Sequence, residues 1–272
     1  MGPPPTAASL PGTADLAPVF PDLSDPRIGQ LFQAGAAAGN LPYTFAHIGG
    51  LPLAQTEVIR AFAPGKSYNL ASQGDLQAVI DWFNQMLGDG TTSFSRSSVA
   101  STFDWTVIDL LDPSRANPSA CAPGETPLDC ELRMTQPVLV FVSVGFNDAL
   151  RGMDLGTFEA QLRQVVATVA GRGVVPVLLS LPRSNVVDVT VAQGFNEAIF
   201  RVAQESGAPV LNVWRLLSEV PGFGSNGEML SVSPSGEGDL DPSATGNFGV
   251  NALNNALLRF LSEFRAIVLT GL

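Results

Sequence analysis

Asn147 and Asp148 are the polar residues best placed to do chemistry, because they follow directly on an apolar run that begins at Val138. The run is rich in β-branched and aromatic side chains, which is typical of a strand buried on both faces. Gly145 breaks the run. The strand is therefore predicted to deliver both polar side chains to the carboxyl edge of a sheet, where α/β proteins bind ligands. A plain strand-to-helix turn, with Asp148 capping the next helix, explains the same pattern at least as well.

His47 is the only histidine in the sequence, and so the only side chain whose ordinary pKa lies near neutrality. It precedes Gly49 by two residues inside a predicted first strand, and we interpret it as a structural histidine rather than a catalytic base. Zinc takes four ligands, so a chain with 1 histidine and 2 cysteines is a poor candidate for a zinc site. The acidic residues near Asp239 lack the twelve-residue spacing of a calcium loop. We therefore expect no metal and no cofactor.

The charge balance excludes several classes of partner. The formal net charge is -11 and the sequence pI is about 4.4, so nucleic acid is not an expected partner. No apolar run reaches the roughly 20 residues of a transmembrane helix, and the start lacks the features of a signal peptide. Cys121 and Cys130 either form a disulfide across a loop with proline and glycine, or remain buried free thiols. Low lysine content and the cysteine pair favour the mature form of an extracytoplasmic protein.

Alternating strands and helices must position these residues. Apolar residues at helical spacing predict helices, and short β-branched runs ended by glycine or proline predict strands. The predicted helices cover residues 27–39, 75–87, 154–171, 192–206 and 251–264, and the predicted strands cover 43–48, the run from 138, 174–181 and 209–213. This order predicts an α/β fold, a three-layer αβα sandwich with a mainly parallel sheet. We expect one domain over residues 27–272, after an extended, loosely tethered, proline-rich arm over residues 1–26.

Three segments resemble the SGNH (GDSL-like) hydrolases. Residues 145–148 read Gly-Phe-Asn-Asp and resemble their Gly-x-Asn-Asp block. Residues 121–131 read Cys-Ala-Pro-Gly-Glu-Thr-Pro-Leu-Asp-Cys-Glu, residues 211–214 read Leu-Asn-Val-Trp, and both resemble segments of one bacterial branch of that superfamily. The resemblance runs from about Leu31 to about Phe264. It implies the flavodoxin-like sandwich of the family and, together with the cysteine spacing, a disulfide between Cys121 and Cys130.

The resemblance also implies where the catalytic residues should stand. The family has its nucleophile in a Gly-Asp-Ser motif after the first strand, and its base in an Asp-x-x-His motif near the carboxyl end. In this sequence Gly50 and Leu51 stand at the aspartate and serine positions, and Asn226 and Met229 stand at the aspartate and histidine positions. Leucine has no nucleophile, and a thioether carries no proton at neutral pH. The site is therefore predicted to be degenerate, with no catalytic residue.

The oxyanion side of the site is partly retained. Asn147 stands where the family has its oxyanion asparagine, and Ser98 is the residue we place at the family's second, glycine-containing block. The crevice residues that the resemblance implies are Gly49, Gly50, Leu51, Ser98, Gly145, Asn147 and Met229. With no nucleophile to serve, Asn147 is expected to hydrogen-bond the loop after the first strand, near Gly49 and Gly50.

These features predict an extracytoplasmic pseudoenzyme that acts as a binding protein for a glycan, or as a structural or assembly component with a protein partner. The alternative is an active esterase or lipase-type hydrolase with a relocated nucleophile. Exposed aromatic side chains at the crevice would favour a glycan, and a broad apolar patch elsewhere would favour assembly. A hydroxyl within hydrogen-bond reach of His47 would favour an enzyme.

Overall fold

A parallel sheet forms the centre of the molecule. The computed structural model describes residues 12–55, 57–221 and 230–269. The strands found within them are β1 (Leu41–Gly49), β2 (Pro137–Ser143), β3 (Val175–Leu179) and β4 (Val210–Leu211). They pair in the order β1-β2-β3-β4, all in parallel. Beyond β1, Gly49 forms an isolated parallel bridge with Ser101. The carboxyl ends of the strands therefore share one edge, where parallel sheets carry their sites.

Helices fill the connections between the strands, as parallel pairing requires. The described helices are α1 (Thr13–Leu16), α2 (Pro26–Ala37), α3 (Gln77–Phe83), α4 (Pro127–Thr135), α5 (Phe146–Leu150), α6 (Leu155–Gly171), α7 (Val189–Ser206), α8 (Val213–Ser218), α9 (Pro242–Thr245) and α10 (Gly249–Phe264). Short 3-10 turns lie at Arg60–Phe62, Gly74–Leu76, Ile108–Leu111 and Pro113–Arg115, and Arg265–Leu269 is π-helical.

Two hydrophobic clusters flank the sheet and make the fold a three-layer sandwich. Alternate strand residues point to opposite faces, so Phe45 and Phe141 belong to one cluster while Ala46 and Val140 belong to the other. The apolar residues of α2, α3 and α10 pack on the first face, and those of α4, α6 and α7 pack on the second. Because both faces are covered, every residue of β2 is buried. The predicted α/β sandwich with a parallel sheet is confirmed.

Helix α6 forms where the sequence pattern predicts it. Asp154 caps its start, since the side chain accepts a hydrogen bond of 2.9 Å from the backbone N–H of Thr157. The residues at the predicted spacing are all buried: Phe158, Leu162, Val165, Val166 and Val169. The capping residue and the single apolar face therefore indicate the same helix, and its predicted bounds are right to within a residue.

Helix α3 is shorter than the predicted helix over residues 75–87. The first residues form a 3-10 turn, and α3 ends at Phe83. Asn84 ends the helix because tertiary partners take its side chain: the amide donates to the carbonyl of Phe62 (2.8 Å) and its oxygen accepts from the hydroxyl of Thr92 (2.8 Å). Such long-range bonds leave no trace in a helical pattern.

The predicted loose arm differs from the structure over residues 12–26. Ala14 in α1 is 1% exposed. The side-chain amide of Asn212 donates to the carbonyls of Ala14 (2.8 Å) and Ala17 (3.0 Å), and the indole N–H of Trp214 donates to Asp15 (2.7 Å). This segment is therefore docked against the start of α8 by specific hydrogen bonds. Residues 1–11 of the predicted arm lie outside the described residues.

The predicted disulfide is confirmed. Cys121 and Cys130 are bonded, with their Cα atoms 5.3 Å apart. Within the loop that they close, Glu125 accepts from the guanidinium of Arg133 (2.8 Å), which holds the loop against α4. The carboxylate of Glu125 and the two sulfurs come within 4.8 Å of one another, but sulfurs in a disulfide are not thiolate ligands. None of the described helices combines the length and the apolar character needed to span a membrane.

Candidate functional site

The turn after β2 is built on Gly145 and Asp148. Gly145 has a φ of +105°, and a Cβ there would lie 2.6 Å from the side chain of Leu181, so only glycine suits the position. Asp148 accepts hydrogen bonds from the backbone N–H groups of Gly145 (2.8 Å) and Val107 (2.9 Å). Burial raises the pKa of this carboxyl, and the two N–H donors oppose the rise. Asp148 thus caps α5 and fixes the segment near Val107, as a plain strand-to-helix turn would require.

Asn147 is engaged with backbone on the loop that follows Ser101. Its side-chain nitrogen lies 2.9 Å from the carbonyl oxygen of Phe103 and 2.9 Å from that of Trp105, and the residue is 7% exposed. The expectation that it would bond the loop near Gly49 and Gly50 is wrong. An amide nitrogen has two N–H groups, and both are taken by carbonyls of the 103–105 segment. No N–H of this side chain is left to bind the oxyanion of a reacting ester.

Gly50 lies against the same amide without bonding to it. A Cβ on Gly50 would sit 2.8 Å from the side-chain nitrogen of Asn147 and 2.8 Å from the carbonyl oxygen of Trp105. Its own N–H donates to the carbonyl of Ser143 (2.7 Å). The neighbouring Gly49 has a φ of +101°, and a Cβ there would overlap the Ser143 carbonyl. Both glycines are thus required by close backbone packing at the end of β1.

Leu51, which the family resemblance places at the nucleophile position, is a core residue in the structure. It is 4% exposed and belongs to the hydrophobic cluster of the α4–α6–α7 face. Its carbonyl accepts from the hydroxyl of Ser143 (2.7 Å). Asn226 and Met229, at the positions of the orienting aspartate and the base, lie outside the described residues. The described half of the site therefore presents a buried alkyl group where an ester would need a nucleophile.

Ser98 lies outside the segment that Asn147 bonds, and its assignment to the family's second block stays a prediction. Its hydroxyl accepts from the backbone N–H of Ala100 (3.1 Å), and it lines a cavity of about 190 Å³ on the β1 side. The cavity is also lined by His47, Arg60, Ser97 and Ser101. The backbone that meets Asn147 belongs to residues 103–105 instead. The three serines come from one serine-rich stretch of the sequence, residues 93–101. No pattern in that stretch indicates that Arg60 joins them.

His47 faces that cavity in its neutral form. Burial, reinforced by the positive charges of Arg96 and Arg60, lowers its pKa from 6.5 to about 4. The ring is nevertheless partly exposed to the cavity. Among the described residues His47 shares the cavity with three serines but forms no hydrogen bond with any of them. Its interpretation as a structural rather than catalytic histidine stays a prediction.

A buried ion pair lies close enough to His47 for the charge of Arg96 to act on the ring. Arg96 and Glu131 contact each other at 5% and 0% side-chain exposure, and Glu131 also accepts from the backbone N–H of Val99 (2.9 Å). Burial raises the pKa of Glu131, and the charge of Arg96 opposes this. Glu131 follows Cys130 directly, so this ion pair is adjacent in the chain to the disulfide.

A larger depression of about 540 Å³ lies elsewhere, beside Gln73, Asp75, Arg259 and Glu263. None of the strand ends contributes to it. We therefore base the functional interpretation on the carboxyl edge and the His47 cavity.

Comparison with known proteins adds a family and a fold. The model of the GDSL-like lipase/acylhydrolase family matches residues 81–246, more than half of the chain. No curated protein matches the sequence. Among solved structures, TesA is similar at 18% identity and a TM-score of 0.48, over 82% of this chain and 99% of its own. The psychrotrophic esterase EstA from Pseudoalteromonas sp. is similar at 13% identity and a TM-score of 0.48, over 82% of this chain and 98% of its own. An acetyl-xylooligosaccharide esterase from Geobacillus is similar at 14% identity and a TM-score of 0.44, over 80% of this chain and 93% of its own.

Proposed function

The chain belongs to the GDSL-like lipase/acylhydrolase family, and from that premise we propose that it is a member that binds a ligand at the carboxyl edge of its sheet without hydrolysing it. The observation that carries this proposal is the state of Asn147, whose amide hydrogens are both used by the carbonyls of Phe103 and Trp105. Stabilisation of the oxyanion is commonly the largest single contribution to acyl-transfer catalysis. A site whose oxyanion donor is bonded to its own backbone is held rigid and has no free amide hydrogen for an oxyanion.

The absent nucleophile supports the same conclusion. Ester cleavage by a hydroxyl needs an adjacent base, and each is weak without the other. Leu51 offers a buried alkyl group at the nucleophile position, and the sequence has Met229 at the position of the base. Two replacements at separate points of the chain and an occupied oxyanion donor are three independent losses of one function.

The rim of this edge supports a ligand-binding role. Phe103 is 62% exposed although its backbone is held by Asn147. An exposed ring on a fixed backbone can stack on a flat apolar surface with little loss of conformational entropy. Sugar rings offer such a surface, and we therefore favour a glycan over a protein partner. The disulfide between Cys121 and Cys130 supports an extracytoplasmic location, since such bonds persist in oxidising compartments.

The second candidate is a hydrolase with a nucleophile in the His47 cavity. It is favoured by one observation, that His47 shares a cavity with Ser97, Ser98 and Ser101. Against it, a histidine with a pKa of about 4 is a poor proton acceptor for a serine hydroxyl. We therefore rank it below the binding protein.

Two measurements separate these candidates. Purified protein is assayed on acetyl and butyryl p-nitrophenyl esters beside a heat-treated sample, and is treated with a serine-directed fluorophosphonate before mass spectrometry. We expect no turnover above the heated control and no labelled serine. Turnover that the inhibitor abolishes, with label on Ser97, Ser98 or Ser101, would establish the second candidate.

The binding role is tested by sedimentation with insoluble polysaccharides. We expect Phe103→Ala to lose binding and Met86→Ala to keep it. Met86 is even more exposed, at 73%, but it lies beyond α3 on another part of the surface. Equal retention of both variants would argue against a glycan at the rim.

A further inference from the structure

We propose that the cavity beside His47 is a binding site for a short-chain carboxylate, held by the guanidinium of Arg60 and the hydroxyl of Ser101. The cavity lies near the end of β1, where Ser101 bridges Gly49, and on the opposite face of the sheet from the cluster that contains Leu51. His47 points to the same side of β1 as Phe45, which belongs to the cluster of the α2–α3–α10 face, whereas Leu51 belongs to the opposite cluster. The inference goes beyond the proposed function, because a hydrolase and a binding protein could each contain such a site.

Arg60 supplies an uncompensated positive charge. Its guanidinium donates to the hydroxyl of Ser97, and it forms no ion pair with a carboxylate in the ranges that the structure describes. Glu57 and Arg60 both line a neighbouring depression, but Glu57 forms no ion pair with Arg60. The other nearby cation, Arg96, is matched by Glu131. Among the described residues that line the cavity, Arg60 therefore carries the one formal charge, which suits a monoanion better than a phosphate dianion.

One buried polar atom of a lining residue lacks a partner. The hydroxyl of Ser101 is buried and has no hydrogen-bond partner among the described residues. Buried polar groups are normally satisfied, so an orphaned hydroxyl that lines a cavity indicates an occupant with an acceptor. A carboxylate has two acceptor oxygens and no donor, and it matches a guanidinium in geometry.

The remaining wall is apolar and limits the size of the occupant. Leu53 and Val58 line the cavity and are each 2% exposed. They can contact a short alkyl chain that extends from the carboxylate. The volume of about 190 Å³ is several times the roughly 30 Å³ that one water occupies. The part of a ligand that lies within the cavity is therefore short.

His47 reports occupancy directly, because it is the only histidine in the chain. The charges of Arg60 and Arg96 contribute to its lowered pKa. An anion bound between the ring and Arg60 offsets these charges, so the pKa of His47 rises on binding.

The test is a titration of protein with isotope-labelled histidine by NMR at pH 6, with sodium butyrate against sodium chloride at equal ionic strength. We expect saturable shifts of the His47 ring signals with butyrate and none with chloride. Arg60→Gln should weaken binding at least about tenfold, the usual size of a lost charge-assisted pair. Ser101→Ala should weaken it less. Arg201→Gln is the matched control, since that surface arginine pairs with Glu159 away from the cavity.

Thermal melting of each variant establishes that it is folded before the titration. If Arg60→Gln fails to fold, Ser101→Ala and competition by phosphate carry the test. Absence of saturable shifts with butyrate overturns the site, as does equal affinity in folded Arg60→Gln and Arg201→Gln. Saturation by phosphate without saturation by butyrate overturns the assignment of the ligand. Esterase turnover is a separate readout, so its presence or absence leaves this result unaffected.

Discussion

Acidification should destabilise this protein through His47. The imidazole lies beside Arg60 and Arg96, and its pKa in the folded state is about 4 against 6.5 for an unperturbed histidine. The folded pKa is depressed, so the unfolded chain takes up the proton first as the pH falls. The stability that the neutral ring contributes is therefore fully present above pH 6.5 and is lost as the pH falls towards 4.

The size of the effect follows from the two pKa values. With 6.5 in the unfolded chain and about 4 in the folded one, linkage gives a loss of about 2 kcal/mol at pH 5 and about 3 kcal/mol at pH 4. These are upper values, since the ring is partly exposed to the cavity and water there screens the two arginines. A loss of this size is a large fraction of the stability of a typical domain.

Urea unfolding followed by circular dichroism at pH 8, 6 and 5 measures this loss. The carboxylates also titrate at low pH, and they do so in any variant. His47→Gln is therefore the control that isolates the ring, because a neutral amide cannot take up a proton in this range. We expect the wild-type protein to lose up to about 2 kcal/mol more than His47→Gln between pH 8 and pH 5. Parallel losses in the two proteins would refute the placement of a depressed histidine beside two arginines.

Three further predictions rest on buried contacts. Asn147→Ala should lower stability by about 1 to 2 kcal/mol, because two backbone carbonyls lose their donor, and a melting curve that does not move would contradict this. Reduction of the Cys121–Cys130 bridge should cost about 2 to 3 kcal/mol in chemical unfolding, with intact mass before and after alkylation as the check on the bond. Glu131→Gln should cost about 3 to 5 kcal/mol by leaving Arg96 buried without its counter-charge, and stability within 1 kcal/mol of wild type would show that water reaches the pair.

The elements that the sequence predicts well are those decided by local burial. The run from Val138 is apolar because helices cover both faces of β2. The apolar residues of α6 recur at helical spacing because that helix buries a single face. Each pattern arises within one element. The order of elements then restricts the fold to a parallel α/β sandwich.

The elements that it predicts poorly are held by contacts between distant parts of the chain. Asp15 and Trp214 meet across 199 positions, which makes a docked segment of a stretch that reads as a loose arm. Asn147 bonds Phe103 and Trp105 through backbone carbonyls, which every residue type possesses. Because a carbonyl carries no residue identity, no pattern of side chains could have indicated these partners.

That last contact bears on whether hydrolysis could be restored. The resemblance to the hydrolase family suggests rebuilding the triad by substitution at the four degenerate positions. The substitutions are Gly50→Asp, Leu51→Ser, Asn226→Asp and Met229→His. Members of a triad act as a unit, so one without the others gains little. On sequence grounds at least these four are needed together.

The structure argues that the set is insufficient. A Cβ on Gly50 would lie 2.8 Å from both the Asn147 nitrogen and the Trp105 carbonyl oxygen, so aspartate cannot enter unless the 103–105 segment moves. Even with the triad present, the amide of Asn147 stays bonded to that segment and stabilises no oxyanion; loss of one such donor costs about 10² to 10³ in kcat. We expect the folded quadruple variant to cleave butyryl p-nitrophenyl ester no faster than wild type, with circular dichroism as the check on folding. Turnover well above wild type, blocked by a fluorophosphonate, would show that the segment yields and that only the triad was lost.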